Sequence, residues 1–362
     1  MRIVIKIGTS TLTSKEGLLN RKYIFSLAKY LSELQNDRHE IIIVSSGAVS
    51  AGQVKLGASC RPKTIRERQA FAAVGQPLVM NAYSEAFKKY SKTVAQVLLT
   101  RDVFDKRAEY INTRNTLNVL IQNKVLPIIN ENDTVSISEL TFGDNDSLAA
   151  LVACSIEADK LILFTDVDGF YRGRPERSEL IHNIDKISED IESYATSGSS
   201  SGKGIGGMKT KISAAKIAIA SGIDTVITNG AKVNLLKDII FNCQIGTVIK
   251  AKKRYLKAKK SWIAFSKKSK GTIFVDSKAA EILLNKGKSL LSVGIVKIIG
   301  HFHRGDTVNV ASAETKKDFA RGLTNYDSSI IEKIKGKKSI DIKKIIDTEE
   351  DEIIHRDNLV LL

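Results

Sequence analysis

The segment VLPIINEND, residues 125–133, passes directly from an apolar run to a cluster of acids and amides. The apolar part, residues 125–129, is typical of a strand that is buried on both faces, as in a parallel sheet. Charged groups are costly to bury without partners. The polar part therefore indicates a place where the chain meets something outside the sheet.

The same succession of an apolar strand and a polar turn occurs three more times in the first 249 residues: in RIVIKIGTS (2–10), EIIIVSSGAVSAG (40–52) and KLILFTDVDG (160–169). We also predict strands over 93–99 and 224–228, and helices over 21–34, 65–90, 113–123, 147–157 and 208–221. Apolar strands that alternate with amphipathic helices predict an α/β fold, with a doubly wound, mostly parallel sheet sandwiched by helices.

In doubly wound sheets, ligands bind beyond the carboxyl ends of the strands. We therefore expect the four polar turns to converge on one rim. Gly8 and Gly47 lie in two of these turns. Glycine lets the backbone approach a ligand closely, and exposed N–H groups suit anions. Each turn alone could be an ordinary polar turn, but four on one rim indicate a ligand site.

Length and composition set the class of protein. The chain has 362 residues, which suits two domains, and with 43% hydrophobic residues and 4 prolines it is globular. The three cysteines lie far apart without a CxxC pair, which fits a reducing compartment. No apolar run approaches the roughly 18 residues that a membrane span needs, and the N-terminal run is too short for a signal peptide. We expect a soluble, cytoplasmic protein with no membrane partner.

The formal net charge of +16 is concentrated in one place. The segment KAKKRYLKAKKSWIAFSKKSK (250–270) has nine lysines, one arginine and no acid, a net of +10. We predict a first domain over 1–250, a basic linker over 251–270 and a second domain over 271–362. Two readings of the linker stay open: a solvated spacer, or a strip that binds polyanions, with Tyr255 and Trp262 interleaved among the cations.

The glycine-rich stretch GKGIGGMKTK (202–211) formally matches GxGxxG. No strand directly precedes it, so a dinucleotide-binding turn is excluded. Met208 stands where a P-loop requires lysine. Lys209 and Lys211 fall in the first turn of a predicted helix, where cations oppose the helix dipole and a bound polyphosphate would favour them. The stretch therefore indicates a phosphate cradle.

Six motifs together resemble one family. KIGTS, SSGAVSAG, NENDTVS, FGDNDSLAA, TDVDGFY and GIGGMKTK, in this order, are similar to the glutamate 5-kinases of the amino-acid kinase superfamily. That family phosphorylates the γ-carboxylate of L-glutamate with ATP and Mg²⁺, the first step towards proline. The part from residue 271 onward resembles a PUA domain, a small β-rich module.

The resemblance implies a set of site residues. Lys6 and Lys211 would contact the transferring phosphoryl group, and Asp146 would hold these two lysines. Ser46, Asp133 and Asn145 would bind glutamate. The residues implied for ATP are Lys6, Thr165, Asp166, Ile205, Gly206, Gly207, Met208, Lys209, Thr210 and Lys211. Mg²⁺ would be bound mainly through the ATP phosphates, with no protein metal ligands.

The residue chemistry agrees with this assignment. A γ-carboxylate has an ordinary pKa of about 4.3, so it is already a nucleophile at neutral pH and needs no general base. The barrier is electrostatic, because an anion must approach an anionic phosphate, and two lysines with Mg²⁺ are a sufficient set. Asp146 is then expected to orient Lys6 and Lys211. It could at the same time cap the helix predicted from Ser147.

The resemblance also implies a homo-oligomer, a dimer or tetramer, and proline as a feedback inhibitor. The alternative function is an RNA-binding or RNA-modifying protein that uses the basic linker and the PUA-like tail. Residues 271–362 have 15 basic and 14 acidic residues, a net of only +1, which argues against RNA binding by the tail alone.

Overall fold

The computed structural model describes residues 1–14, 16–58, 60, 62–135, 145–173, 178–197, 207–241, 245–251, 263, 269–337 and 351–362. The chain divides into two compact units, Met1–Tyr255 and Leu256–Leu362. Most of the predicted basic linker lies outside the described residues, so its limits at 251 and 270 stay a prediction.

The first unit is built around an eight-stranded sheet. The strands of this unit are β1 (Arg2–Lys6), β2 (Glu40–Val44), β3 (Val94–Leu99), β4 (Leu126–Glu131), β5 (Lys160–Thr165), β6 (Phe170–Tyr171), β7 (Leu180–Ile181), β8 (Asn183–Ile184), β9 (Asp224–Asn229) and β10 (Thr247–Ile249). The order in the large sheet is β3-β4-β2-β1-β5-β9-β10-β8, while β6 and β7 pair separately. Neighbours from β3 to β9 are parallel, and β10 runs antiparallel to β9. The predicted mostly parallel sheet is confirmed.

The helices of the first unit are α1 (Thr9–Leu12), α2 (Arg21–Asn36), α3 (Ala48–Lys55), α4 (Ile65–Lys88), α5 (Arg107–Gln122), α6 (Asn145–Ser155), α7 (Glu189–Ser197), α8 (Met208–Ala220) and α9 (Leu236–Phe241). Local sequence sets where two of them begin. The Asn20 side chain accepts a hydrogen bond from the Tyr23 amide at the start of α2. Thr64 and Glu67 form a capping box at the start of α4. Both satisfy N–H groups that a helix end otherwise leaves unpaired.

Helices cover both faces of the sheet. Successive side chains of a strand point to opposite faces. Ile3 and Ile5 of β1 belong to the core that includes residues of α2 and α4. Val4 points to the other face, where α6 packs on β1 and α8 packs on α6. Lys6 is two residues after Val4 in β1, so its side chain points to the same face, the one covered by α6. The predicted helical sandwich is confirmed.

Several predicted boundaries were wrong, and three of these errors have a clear cause. The strand predicted over 125–129 runs to Glu131, because Asn130 and Glu131 continue the parallel register with β3. The helix predicted from residue 113 begins at Arg107. Tyr110 is the one buried side chain of its first turn, and a single apolar residue cannot show the helical period on which the prediction relied. The helix predicted from Ser147 begins at Asn145, so Asn145 and Asp146 lie inside its first turn.

The second unit is rich in strands, as predicted. Its strands are β11 (Gly271–Val275), β12 (Leu290–Leu291), β13 (Ile295–Gly300), β14 (Thr307–Ser312), β15 (Asp318–Leu323), β16 (Glu352–Ile354) and β17 (Leu359–Leu361), and its helices are α10 (Ser277–Lys286) and α11 (Ser328–Ile334). Five strands form a sheet in the order β13-β11-β14-β15-β17, and β12 pairs with β16. Ile273, Val308 and Ile331 lie in a hydrophobic core of its own.

None of the helices in the described ranges combines the length and the apolar character that crossing a bilayer would require.

Candidate active site

Lys6 is placed by the centre of the sheet. It is the last residue of β1 and lies in register with Val44 of β2 and Leu163 of β5. Both neighbouring strands therefore fix its backbone, and only 7% of the residue is exposed. A buried ammonium requires a partner. That partner is Asp146.

Asp146 lies in the first turn of α6 and is fully buried. Its Oδ1 lies 2.7 Å from Lys6 Nζ, and its Oδ2 lies 3.0 Å from Lys211 Nζ. A carboxylate near a helix N-terminus is stabilised by the helix dipole. The structure thus brings together the three residues that the resemblance implies for catalysis.

Lys211 lies in the first turn of α8 and is 5% exposed. An ammonium at a helix N-terminus opposes the dipole, and Asp146 offsets that cost. Thr210 adds a second link, since its hydroxyl donates a hydrogen bond to Asp146 Oδ2 at 2.9 Å. Gly207, the N-cap of α8, supplies no side chain to accept the first N–H groups. The start of α8 therefore offers both N–H donors and a buried cation.

Asn145 and Ser46 meet next to this triad. The side-chain Nδ2 of Asn145 donates to Ser46 Oγ at 2.8 Å and to the Ser45 carbonyl at 2.7 Å. A third acceptor is Asn130 Oδ1 at 3.0 Å. Asn145 is 8% exposed, and its own Oδ1 is buried with no hydrogen-bond partner among the described residues. Two of the residues predicted for glutamate are therefore in contact.

Asp133 lies in the turn after β4 and is partly buried. Burial raises the pKa of its carboxyl group, and the nearby Arg68 guanidinium opposes that shift. Within the described ranges, no hydrogen bond joins Asp133 to Ser46 or Asn145. The fold brings Asp133 to the same edge of the sheet but leaves it outside their hydrogen-bond network.

Thr165 and Asp166 occupy the carboxyl end of β5. Thr165 is buried and its hydroxyl lies 3.1 Å from Asp166 Oδ1, while the Asp166 side chain is exposed. Both residues follow Leu163, which pairs with Lys6 across the sheet. The structure therefore places the predicted nucleotide residues on the strand next to the one that carries Lys6.

The predicted nucleotide loop is described only from Gly207 onward; Ile205 and Gly206 lie outside the described residues. Lys209 is exposed and lines a cavity of about 270 Å³ between α7 and α8, together with Glu192 and Lys216. Residues two apart on a helix face different sides. Lys209 therefore does not join the group around Asp146, whereas Lys211 does.

The arrangement suits the transfer of an anionic group. Two ammonium groups lie on one buried carboxylate, and the three groups together carry a formal charge of +1. Preorganised charges in a water-poor site act strongly on charge that develops in a transition state. Around them lie helix N–H groups and polar turns at the carboxyl ends of the central strands.

Comparisons with known proteins agree with this chemistry. A model described as the amino acid kinase family matches residues 1–229, and a PUA domain model matches residues 271–346. The chain belongs to the amino acid kinase family.

Full-length relatives of this amino acid kinase carry the name glutamate 5-kinase. "Glutamate 5-kinase" from Thermoanaerobacter sp. (strain X514) is 44% identical over 100% of this chain and 98% of its own length. "Glutamate 5-kinase" from Caldanaerobacter subterraneus subsp. tengcongensis is 45% identical with the same coverage. The resemblance to the glutamate 5-kinases and the PUA domain is thereby confirmed.

A solved structure extends the likeness to the fold. The carbamate kinase of Giardia, 20% identical, covers 69% of this chain and 99% of its own, with a TM-score of 0.50. The amino acid kinase fold predicted for the first unit is confirmed.

Sequence reasoning missed two polar residues of this amino acid kinase. Gln76 Oε1 accepts a hydrogen bond of 2.8 Å from Asn130 Nδ2, and Tyr83 OH lies 3.1 Å from Ser45 Oγ. Both belong to α4, where the sequence shows a helical period and no motif. Their partners lie 54 and 38 positions away in the chain. No local signal could have identified them.

The described part of this amino acid kinase holds no group of three or more His, Cys, Asp or Glu residues arranged to bind a metal ion.

Proposed function

We infer that this chain transfers the γ-phosphoryl group of ATP to the γ-carboxylate of L-glutamate, giving L-glutamyl 5-phosphate and ADP. The observation that carries the proposal is the placement of the Lys6 and Lys211 ammonium groups on the two oxygens of Asp146. The name "Glutamate 5-kinase" of relatives that match the whole chain supports glutamate as the acceptor. This phosphorylation is the first step of proline synthesis.

The acceptor carboxylate needs no base in this proposal. Its ordinary pKa of about 4.3 leaves it ionised at neutral pH. Asp146 is a poor base, because each of its oxygens already faces an ammonium group. Its proposed role is to orient Lys6 and Lys211, which would stabilise the negative charge on the transferring phosphoryl group.

The residues present fit a polyphosphate. The N-terminus of α8 has no side-chain cap, so its N–H groups are available to an anion. Gly8 supports the same conclusion, since a Cβ atom there would lie 3.6 Å from Lys6 Nζ and occupy space beside the ammonium. The residues proposed to bind ATP are Lys6, Thr165, Asp166 and the segment 205–211. Mg²⁺, bound through the ATP phosphates, would supply further charge neutralisation.

The residues proposed to bind glutamate supply acceptors for its ammonium group. Asp133 has a carboxylate at the carboxyl edge of the sheet, and Asn145 has a buried Oδ1 without a partner among the described residues. Ser46 is held beside them by Asn145. A substrate ammonium would satisfy Asn145 Oδ1, an acceptor that the described residues leave without a donor.

The test is the substrate profile of the full chain with ATP and Mg²⁺. Glutamate, acetylglutamate and aspartate are each supplied with hydroxylamine, which traps an acyl phosphate as a hydroxamate. Carbamate and UMP are followed through ADP release. Hydroxamate from glutamate alone is the expected result. No ADP release with glutamate would overturn the proposal.

The RNA-binding alternative has no observation in its favour within the described residues, and most of the basic segment lies outside them. Assembly as a homo-oligomer, feedback inhibition by proline and a cytoplasmic location remain part of the proposal, supported by the likeness to the glutamate 5-kinases. Sedimentation and inhibition by added proline test the first two.

A further inference from the structure

Three buried amide side chains connect α4 to the proposed glutamate site. Gln76 Oε1 accepts from Asn130 Nδ2 at 2.8 Å, and Asn130 Oδ1 accepts from Asn145 Nδ2 at 3.0 Å. Gln76, Asn130 and Asn145 are 8%, 2% and 8% exposed. We call these three side chains the amide relay.

Two backbone groups determine the orientation of every amide in the relay. The amide ends O and N have nearly the same shape, so their orientation follows from their partners. The Glu131 backbone N–H donates to Asn130 at 2.9 Å, so the atom there must be Oδ1. The Ser45 carbonyl accepts from Asn145 at 2.7 Å, so the atom there must be Nδ2. A backbone N–H cannot accept and a carbonyl cannot donate. The orientation of Gln76 then follows, because Asn130 must donate to it.

The relay leaves one acceptor unused at the substrate end. Asn145 has its Nδ2 committed to Ser45, Ser46 and Asn130. Its Oδ1 is buried and has no partner among the described residues. A buried acceptor without a donor is costly, and a ligand donor would satisfy it. Ammonium is the part of an amino acid that supplies such donors.

We propose that Gln76 is a positioning residue for recognition of the substrate's α-ammonium group, acting through Asn130 on the Oδ1 of Asn145. The inference rests on the proposed function. Gln76 gives Asn130 Nδ2 its acceptor. Without that acceptor Asn130 carries an unsatisfied buried donor, and α4 no longer holds its side chain against Asn145. The Glu131 and Ser45 backbone groups keep both amides in the same orientation, but the Asn145 side chain shifts more easily, so its Oδ1 is placed less accurately for the ammonium.

The experiment compares glutamate with glutarate, which has both carboxylates but no α-ammonium group. Gln76→Met removes the acceptor while keeping the side-chain length. We expect its kcat/KM for glutamate to fall about tenfold or more, mainly because KM rises. A fall of this size corresponds to the loss of one hydrogen bond to a charged group. The kcat/KM for glutarate should stay within roughly twofold, because the lost contact concerns the ammonium alone. If glutarate is turned over too slowly to give a kcat/KM, the variants are compared by the inhibition constant of glutarate, measured with glutamate as the substrate.

Two further variants complete the design. Gln76→Glu keeps an acceptor oxygen towards Asn130 and should retain most of the preference for glutamate over glutarate. Asn81→Met removes an exposed amide from the same helix and should change neither substrate. Thermal unfolding of each variant verifies folding. Should Gln76→Met not fold, Gln76→Glu alone remains decisive, because loss of the preference in that variant would contradict the relay.

The outcomes separate the relay from a structural role and from the proposed function. An equal fall for both substrates in Gln76→Met, or a fall in kcat alone, would overturn the proposal, since damage to packing does not distinguish the ammonium. Wild-type protein that fails to release ADP with glutamate would overturn the proposed function instead.

Discussion

Gly75 of α4 lies so close to Ala48 of α3 that a Cβ atom on Gly75 would stand 1.8 Å from the Ala48 carbonyl oxygen. Gly52 makes the reciprocal approach, because a Cβ atom there would stand 1.8 Å from the Phe71 carbonyl oxygen. The two helices therefore touch backbone to backbone. The start of α3 follows the turn that holds Ser46, so this contact places a proposed glutamate ligand.

Replacing Gly75 with alanine should force α3 and α4 apart. Overpacking of a buried contact costs about 1–3 kcal/mol, and more where backbone must move. We expect a lower free energy of unfolding in urea and a higher KM for glutamate, because Ser46 moves with α3. Ala73→Leu, on the exposed side of α4, is the control and should change little. Wild-type stability in Gly75→Ala would contradict this packing.

Lys6→Ala and Lys211→Ala should each lower kcat by roughly 10² or more, because each removes a charge that acts on the transferring group. The KM for glutamate should change much less. Lys216→Ala is the control on α8, since Lys216 is paired with Glu192 away from Asp146. Steady-state kinetics measures all three. Near-normal kcat in either test variant would remove that lysine from the proposed mechanism.

Asp133→Asn should weaken glutamate binding. Loss of a hydrogen bond to a charged group costs about 1.5–3 kcal/mol, or roughly 10- to 150-fold in KM. The effect on kcat should be small, because Asp133 is not one of the three charged groups formed by Lys6, Lys211 and Asp146. A defect confined to kcat would instead assign Asp133 to the chemical step.

The same substitution should change the pH dependence of stability. Burial raises the pKa of Asp133 above its value in the unfolded chain, so folding favours the protonated form. The folded state then holds more protons than the unfolded state between the two pKa values, and stability falls as pH rises through that interval. Asp133→Asn cannot ionise. Its stability relative to wild type should therefore rise through the interval and then stay constant, as measured by urea unfolding at several pH values. A constant difference at every pH would exclude a raised pKa.

A protein that ends at Lys250 should fold and phosphorylate glutamate. All proposed site residues lie between Lys6 and Lys211, and the first unit has its own sheet and core. Domain boundaries usually fall in exposed polar linkers. Circular dichroism and ADP release test the prediction. A folded but inactive truncation would show that the second unit completes the active site.

Sequence patterns predicted the central strands and the rim because each long strand is apolar throughout and ends in a polar turn. The short strands β6, β7, β8 and β10 were missed, since two or three residues are too few to show a period. The contact between Asp146 and the two lysines joins positions 140 and 65 apart. Family motifs implied that contact, whereas composition and spacing alone did not.

The amide relay lay beyond sequence reasoning for a different reason. A buried glutamine in a periodic helix resembles any other polar residue until its partner is known, and Asn130 was expected just after the strand. Only the continued register of β4 shows that Asn130 lies inside the sheet. Hydrogen bonds between distant side chains depend on tertiary placement, which the local pattern does not contain.

The strand order has a consequence for synthesis of the chain on the ribosome. The first strand synthesised, β1, lies in the middle of the finished sheet. Strand β5 pairs with β1 along one edge, and its other edge pairs only with β9, which is synthesised later. All of β5 is buried in the finished protein. A nascent chain that has emerged past residue 165 but not yet past residue 229 therefore presents β5 as an apolar edge, which is a template for pairing with other chains. A chaperone that binds nascent chains would protect this edge during that interval.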